Sequence, residues 1–400
     1  MGQKLAIHGG QPIRTEPYPE WPVADAREEE LLLAVIRSRQ WGGYHPFVGE
    51  FEKLFAEMHD CRHAVSCANG TVAIEMALYA AGIGAGDEVI VPAHSFISTA
   101  SAVSRVGATP VFVDIGRETY NISPDRIREA AGERTKAVIV VHFGGMMLDM
   151  DLIAEVAAQA NLTVIEDAAH AHGAEWHGKR AGSLGRVATF SFQNSKVMTS
   201  GEGGIITTND DELAARARSF ANCGRREGAG WFEHFSLATN YRMTGFQAAV
   251  LKAQLERLPE QIRLRQKNGE LLMASVRAPG VRFQIAPEGA TVQSFYIVSV
   301  AVDEHEFGVG RDDLVEALRA EGIPCSPFYP RPLYKNPMYQ DVSNRVEPCP
   351  VAEEVCGNSF WLPLKTLMGS EEDTLDVVRA IEKVHAAYKP IEAGAGVSVN

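Results

Sequence analysis

Cysteine is scarce and scattered. The 400 residues include six, Cys61, Cys67, Cys223, Cys325, Cys349 and Cys356. None belongs to a Cys-x-x-Cys pair, which argues against a zinc ribbon or a thioredoxin-like site. Their wide spacing reads as reduced thiols of a cytoplasmic protein rather than a disulfide framework. The stretch from Met1 to Gly10 lacks the apolar core of a secretory leader. No apolar run approaches the length of a membrane span. Positive charge is in deficit: 38 Lys and Arg against 51 Asp and Glu leave a net charge of −13. Nucleic acid and anionic membranes both reward basic surface, so neither is expected as a partner. Internal repeats and low-complexity blocks are missing. So is a Walker-type Gly-Lys-Ser/Thr loop, and Gly82-Ile-Gly-Ala-Gly86 follows a helical pattern and precedes a strand. A nicotinamide-dependent dehydrogenase would therefore lack its glycine fingerprint.

What is present is ordinary globular material, with 46% apolar and 22% charged residues. The length suits a large α/β unit and a smaller domain. Pro12, Pro17, Pro19 and Pro22 punctuate an extended N-terminal arm that must be tied to its own body or to a neighbouring subunit. Helical periodicity begins after Asp25, breaks at Trp41-Gly-Gly-Tyr44 and resumes around Phe51, Leu54, Phe55 and Met58. From residue 63 to about 208, short apolar strands alternate with helices. This predicts a mostly parallel sheet covered on both faces. The strands expected at 163–166, 187–192 and 204–208 lack helical connections, so an antiparallel element is expected there. A long helical pattern from about Thr244 contains Pro259, which predicts an interruption and sets the domain boundary at 258/259. Residues 1–258 then form the arm and large domain, and residues 259–400 a smaller α/β domain. Its strand is expected at 293–302 and its last helix at 371–388, followed by a loose tail after Pro390.

Three pieces carry chemistry. The first, Ser66-Cys-Ala-Asn-Gly-Thr71, ends a strand and opens a helix, where free N–H groups attract a phosphate. The same residues also suit a plain turn with an N-cap. The second, Val164-Ile-Glu-Asp-Ala-Ala-His170, puts Asp167 at the carboxyl end of an apolar strand, where open α/β sheets bind ligands. A carboxylate at that depth needs a partner, and a protonated pyridine nitrogen is one; a cap for the next segment is the alternative. His170 and His172 at i, i+2 are too few for a metal site. The third piece, Phe190-Ser-Phe-Gln-Asn-Ser-Lys196 followed by Gly201-Glu-Gly-Gly204, holds Lys196 in a turn as a candidate Schiff-base nucleophile. A single lysine is usually a solvated charge, but the three pieces together answer the needs of pyridoxal phosphate. That cofactor takes a lysine for its aldehyde, a carboxylate for its ring nitrogen and donors for its phosphate.

With Pro92-Ala-His-Ser-Phe96 and Asn240-Tyr-Arg-Met-Thr244 added, the sequence resembles the DegT/StrS-type sugar aminotransferases from about Pro22 to the last helix. The resemblance implies the fold type I architecture of pyridoxal-phosphate enzymes. It implies that Lys196 joins the cofactor and moves the proton between Cα and C4′, and that Asp167 keeps the pyridine nitrogen protonated. Gly70, Thr71 and Ser191 would bind the phosphate, Phe96 would stack on the ring, and His170 would lie beside it. Asn240 would reach the phosphate of a neighbouring subunit, which makes the protein a homodimer with shared sites. Some relatives replace the lysine by histidine and act as dehydratases; Lys196 favours transamination. Gln193-Asn194 replaces the His-Pro-type pair of many sugar-nucleotide members. This places the chain nearer the ketocyclitol aminotransferases and the 3-amino-5-hydroxybenzoate synthases. The implied substrates are a ketocyclitol or ketosugar, with L-glutamine or L-glutamate as donor. Nucleotide-linked 4-ketosugars and a non-catalytic sugar or cofactor sensor are the alternatives. Trp41–Tyr44 and Tyr329–Tyr334 are loops that border a site or are ordinary turns. Arg225 and Arg226 either bind an anion or are solvated.

Overall fold

The computed structural model describes residues 4–388; the tail expected after Pro390 lies outside them. Helices α1 (Ala26–Ser38) and α2 (Pro46–Met58) precede the sheet. Asp25 and Glu28 form a reciprocal capping box that starts α1. Strands β1 (His63–Cys67), β2 (Glu88–Pro92), β3 (Thr109–Val113), β4 (Thr135–Val141) and β5 (Thr163–Asp167) follow. They alternate with α3 (Gly70–Ala80), α4 (Ser98–Arg105), α5 (Pro124–Ala130) and α6 (Met150–Gln159). After β6 (Val187–Ser191) and β7 (Gly204–Thr208) come α7 (Asp211–Ala221) and the long α8 (Gly245–Ser275).

The large sheet runs β1-β7-β6-β5-β4-β2-β3, with Arg345–Val346 added beyond β3. It is parallel except at β7, which is antiparallel to both neighbours. The expected antiparallel element is thus β7 alone. β6 lies parallel to β5 although no helix joins them. Its crossover is made by residues 168–186, which carry a short hairpin of Glu175–Trp176 and Lys179–Arg180. Strand residues alternate between two cores: Val91 and Ile139 face one, Ile90 and Val138 the other. Both faces are dry, so the strands read as continuous apolar runs.

Pro259 does not interrupt the helix: α8 is continuous across it. A proline inside an isolated helix costs about 3 kcal/mol. Here α8 packs against α1, α2 and the C-terminal helix Glu371–Tyr388, burying Leu251, Leu258, Ile262 and Leu272. Tertiary burial outweighs the missing hydrogen bond. Residues 258 and 259 therefore fall in mid-helix.

Beyond α8, an antiparallel sheet of Val281–Phe283, Ile297–Val302, Ser359–Pro363 and Ser326–Pro327 packs with helices Arg311–Ala320 and Glu371–Tyr388. The N-terminal arm docks on this C-terminal layer. Leu5 and Tyr18 enter its core. The buried Glu321 accepts from the backbone N–H groups of Ala6 and Ile13 at 2.8 and 3.0 Å, and Arg14 pairs with Asp373 at 2.6 Å. No helix among the described residues is long and apolar enough to cross a membrane. The six cysteines are unpaired.

Candidate active site

A cavity of about 890 Å³ opens at the carboxyl ends of β4 and β5 and the start of α3. Gly70, Thr71, Phe96, Asp167, His170, Ser191 and Lys196 all line it. Residues from positions 70 to 196 thus meet at one place, as the three sequence pieces required.

One corner of the cavity is made by the start of α3. Asn69 caps it, its Oδ1 accepting from Val72 N–H at 3.0 Å. The N–H groups of Gly70 and Thr71, in the first turn, have no carbonyl within the helix to bond. Close packing demands the glycines here. A Cβ on Gly70 would lie 2.6 Å from Ser191 Cβ, and one on Gly204 would lie 2.3 Å from the carbonyl oxygen of Asn69. The Gly201–Gly204 segment therefore lets β7 sit flush beneath the Asn69 turn, and Ser191 Oγ faces the corner.

Asp167 is the last residue of β5 and is buried. Thr99 of α4 donates its hydroxyl to Oδ2 at 2.9 Å, and Ser95 Oγ lies 2.8 Å from Thr99 Oγ1. Ala169 N–H reaches Oδ1 at 3.3 Å. Burial pushes the carboxyl above its ordinary range; Thr99, Lys196 and the Ala169 N–H oppose this without cancelling it. The preceding residue, Glu166, points to the other face of the strand. Burial alone would raise it. His142 at 3.0 Å and the N–H groups of Gly182 and Gly185 outweigh that and hold it below its usual value. Glu166 is a structural clasp, and Asp167 is the carboxylate with spare acceptor capacity facing the cavity.

Lys196 lies in the hairpin between β6 and β7. Its backbone N–H turns back to Gln193 O at 2.9 Å, and the hairpin is closed by Phe192 N–H to Gly203 O at 2.8 Å. Its Nζ stands 4.5 Å from the centroid of the Tyr296 ring. His170 stacks with Tyr296, their ring centroids 4.3 Å apart. Burial, with Lys196 and His172 nearby, holds His170 well below its ordinary value, so the imidazole is neutral. Its Nδ1 accepts from Gly144 N–H at 3.3 Å, which leaves Nε2 as the donor. His172 turns away among Phe55, Phe190 and Phe192.

Phe96 is 53% exposed although it follows a buried strand end. An aromatic face left open beside Asp167 and Lys196 fits a planar ligand ring. Asn240 is not in the cavity: it is exposed, and its Oδ1 accepts from Arg242 N–H at 3.3 Å. Tyr329 lines the site, whereas Tyr334 bonds Glu353 at 2.7 Å. Tyr44 bonds Asn222 at 2.9 Å, and Arg225 and Arg226 line a separate surface groove.

Sequence reasoning missed Tyr296, Thr99, Glu75 and Tyr241, which also shape the site. The sequence pattern places Tyr296 within a strand over 293–302. The strand begins only at Ile297, because Phe295 has φ of +47°. This left-handed kink, strained for an aromatic residue, turns Tyr296 toward Lys196. The wholly buried Arg265 of α8 holds the kink through Ser294 O at 2.8 Å, its own pKa pushed down to about 9 by burial. No local motif signals such a kink.

Comparison with known proteins finds relatives over nearly the whole chain. The L-glutamine:2-deoxy-scyllo-inosose aminotransferase of Streptoalloteichus tenebrarius is 37% identical, over 96% of this chain and 98% of that one. The 3-amino-5-hydroxybenzoate synthase of Amycolatopsis mediterranei is 36% identical, over 89% of this chain and 94% of that one. The crystal structure of a 3-amino-5-hydroxybenzoic acid synthase superposes with a TM-score of 0.88 at 35% identity, covering 94% of this chain and all of that one. The fold is that of the fold type I aminotransferases. The signature of one family spans residues 22–382, so the chain is an enzyme of the DegT/DnrJ/EryC1/StrS aminotransferase family.

Proposed function

We propose that the enzyme moves an amino group from L-glutamine or L-glutamate to the ketone of a cyclitol, with pyridoxal phosphate held in the Lys196 cavity. The observation that carries this is the meeting of Lys196 Nζ, the buried Asp167 carboxylate and the free N–H groups of α3 in one cavity. When bound, pyridoxal phosphate supplies an electron sink for the substrate carbanion.

The chain's own residues do the rest. Gly70 and Thr71 N–H groups and the Ser191 hydroxyl bind the phosphate at the positive end of the helix. Asp167 holds a positive N–H on the ring, and Thr99 fixes the carboxylate's orientation. Phe96 would offer its open face to the ring, and His170 would offer Nε2–H to it as a donor. Lys196 Nζ would take a proton from the substrate Cα and return it two bonds away, across the intervening nitrogen, a short transfer from a group held beside Tyr296. Donor and acceptor use the same cavity in turn, so kinetics are ping-pong. The ketocyclitol assignment draws on the scyllo-inosose aminotransferases among the relatives.

Asn240 serves the site of a second subunit in a homodimer. It closes a loop, 223–239, whose Phe232 and Leu237 are 85% and 95% exposed, an apolar surface suited to burial against another copy. Six unpaired cysteines suit a cytoplasmic location.

The test is the absorption spectrum of the purified protein. A yellow band that borohydride removes and L-glutamine bleaches, followed by amination of scyllo-inosose, is expected. A protein that stays colourless with added pyridoxal phosphate would overturn the reading.

The raised carboxyl of Asp167 adds a pH dependence. Its folded value lies above its unfolded value, so in the cofactor-free protein its contribution to stability is greatest below the unfolded value and is lost as pH rises through the folded one. A cation beside the carboxylate removes that loss. Cofactor binding therefore strengthens as pH rises through the raised value of Asp167. Equilibrium dialysis at several pH values should show this rise, and show it lost in Asp167→Asn.

A further inference from the structure

We propose that Tyr296 is the positioning residue for the Lys196 amine, and that hydrogen bonds running from Gln193 through Ser195 hold its ring against that amine. This deepens the transamination reading above and rests on it. Tyr296 sets where the amine stands and exchanges no proton with the substrate itself.

The lysine stem is flexible, so something must restrict its amine. Lys196 Nζ lies 4.5 Å from the centroid of the Tyr296 ring. That is inside the distance, about 6 Å, at which an aromatic face attracts an ammonium group. The ring is itself fixed. Tyr296 N–H donates to Gly144 O at 2.9 Å, and His170 stacks with the ring. The phenol oxygen lies 2.9 Å from Ser195 Oγ.

The direction of that last bond follows from its neighbours. Gln193 Oε1 accepts from Ser195 N–H at 2.8 Å and from the Ser195 hydroxyl at 2.7 Å. The backbone donor settles which end of the amide is oxygen. Ser195 has thereby used its only hydrogen, so the Tyr296 hydroxyl donates to Ser195 Oγ. A phenol whose hydrogen is engaged in this way is not aimed at the substrate as an acid. What it contributes is the place of its ring. Ser195 adjoins Lys196, and Lys196 N–H bonds Gln193 O at 2.9 Å. One turn therefore carries both the amine and the tether of the ring, which keeps the two in register.

The backbone is strained to bring the ring there. Phe295 has φ of +47°, a conformation unfavourable for an aromatic residue. Three bonds at Ser294 hold it. Its N–H donates to Gly145 O at 3.1 Å, its hydroxyl donates to His170 O at 2.5 Å, and Arg265 donates to its carbonyl at 2.8 Å. Strain kept by so many bonds marks a functional constraint. What the kink delivers is the Tyr296 ring to Lys196.

The experiment uses the full-length protein, stripped of cofactor and then reloaded with pyridoxal phosphate. It compares wild type, Tyr296→Leu, Tyr296→Phe, Ser195→Ala and the double variant of the last two. The first readout starts from cofactor-free protein: the rate at which added pyridoxal phosphate becomes fixable to the Lys196 peptide by borohydride. Tyr296→Leu removes the ring and should slow this capture about tenfold, as for a desolvated cation–π contact. Tyr296→Phe and Ser195→Ala only untether the ring and should each slow it about threefold, within the worth of one hydrogen bond. The second readout is single-turnover bleaching by L-glutamine. Its rate constant at saturation should fall by similar factors. The half-saturating concentration should move less than about twofold, because the amine is disturbed and donor binding is not. The double variant should be no slower than either single one, since both cut the same bond. Unchanged capture and bleaching, a shift confined to half-saturation, or effects of Tyr296→Phe and Ser195→Ala that multiply would overturn the proposal. If Tyr296→Leu does not fold, the two variants that each lack only a hydroxyl decide. A wild type that captures and bleaches beside silent variants sinks this inference alone. A wild type that captures no cofactor sinks the transamination reading and this inference with it.

Discussion

Lys196→Ala should lose turnover by about four orders of magnitude or more, since the variant forfeits both the covalent anchor and the group that moves the proton. The fold should barely notice. Lys196 is half-buried in a hairpin closed by backbone bonds from Phe192 and Ser200 and by Gly201 N–H to the Thr199 hydroxyl, not by the lysine side chain. What its side chain forfeits is a contact with the Tyr296 ring and a partly compensating pair of charge effects, attraction to Asp167 and repulsion of a protonated His170. A change of that kind shifts stability by about 0.5 kcal/mol. Thermal melts of variant and wild type should therefore nearly coincide, while single-turnover measurements with L-glutamine show no bleaching. Lys196→Arg, which keeps the charge, should be nearly as inactive, because guanidinium neither condenses with an aldehyde nor gives up its proton. Substantial turnover by Lys196→Ala would exclude the assigned role.

Asp167→Asn should be the second most damaging change, and its effect on stability should reverse sign with the cofactor. Asparagine keeps the shape and an acceptor for Thr99 but loses the charge. In the loaded enzyme, removing one partner of a buried ion pair costs roughly 3–5 kcal/mol. That is about a thousandfold weaker hold on the pyridine N–H at 1.4 kcal/mol per tenfold. In the cofactor-free protein the same substitution removes an ionised carboxylate that burial already disfavours. The variant should then melt higher than wild type without cofactor and lower than wild type with it. Scanning calorimetry of both forms gives the test, and a shift of the same sign in both would refute the assignment. Thr99→Val, which removes one hydrogen bond to that carboxylate, should cost about tenfold in kcat, from roughly 1.5 kcal/mol.

Much of the site was legible in the sequence because its parts obey local grammar. Asn69-Gly-Thr71 is a strand end, a cap and a helix start. Asp167 is the terminus of an apolar strand. Lys196 stands between a serine that ends one strand and glycines that start another. Each motif states its own secondary structure, and parallel strands bring their carboxyl ends together. Asn240 shows the limit of that grammar, since its motif is clear but its side chain lies outside this chain's own cavity.

Other features were decided by contacts between distant segments. Pro259 reads as a helix breaker, yet α8 continues because burial on three helices outweighs one missing bond. Tyr296 sits in an apolar run that reads as strand, and only Arg265, thirty residues earlier in mid-helix, explains the kink that turns it inward. Trp21 belongs to a proline-rich arm with no pattern of its own, and it walls a smaller cavity beside Tyr296 because Glu321, Asp373 and α8 hold the arm there. The sequence by itself determined the α/β class, the lysine, the carboxylate and the phosphate corner, because each is written in a few consecutive residues. The tertiary structure alone decided which aromatic and hydroxyl groups surround them, because those choices depend on side chains that meet only after the sheet has ordered and the arm has docked.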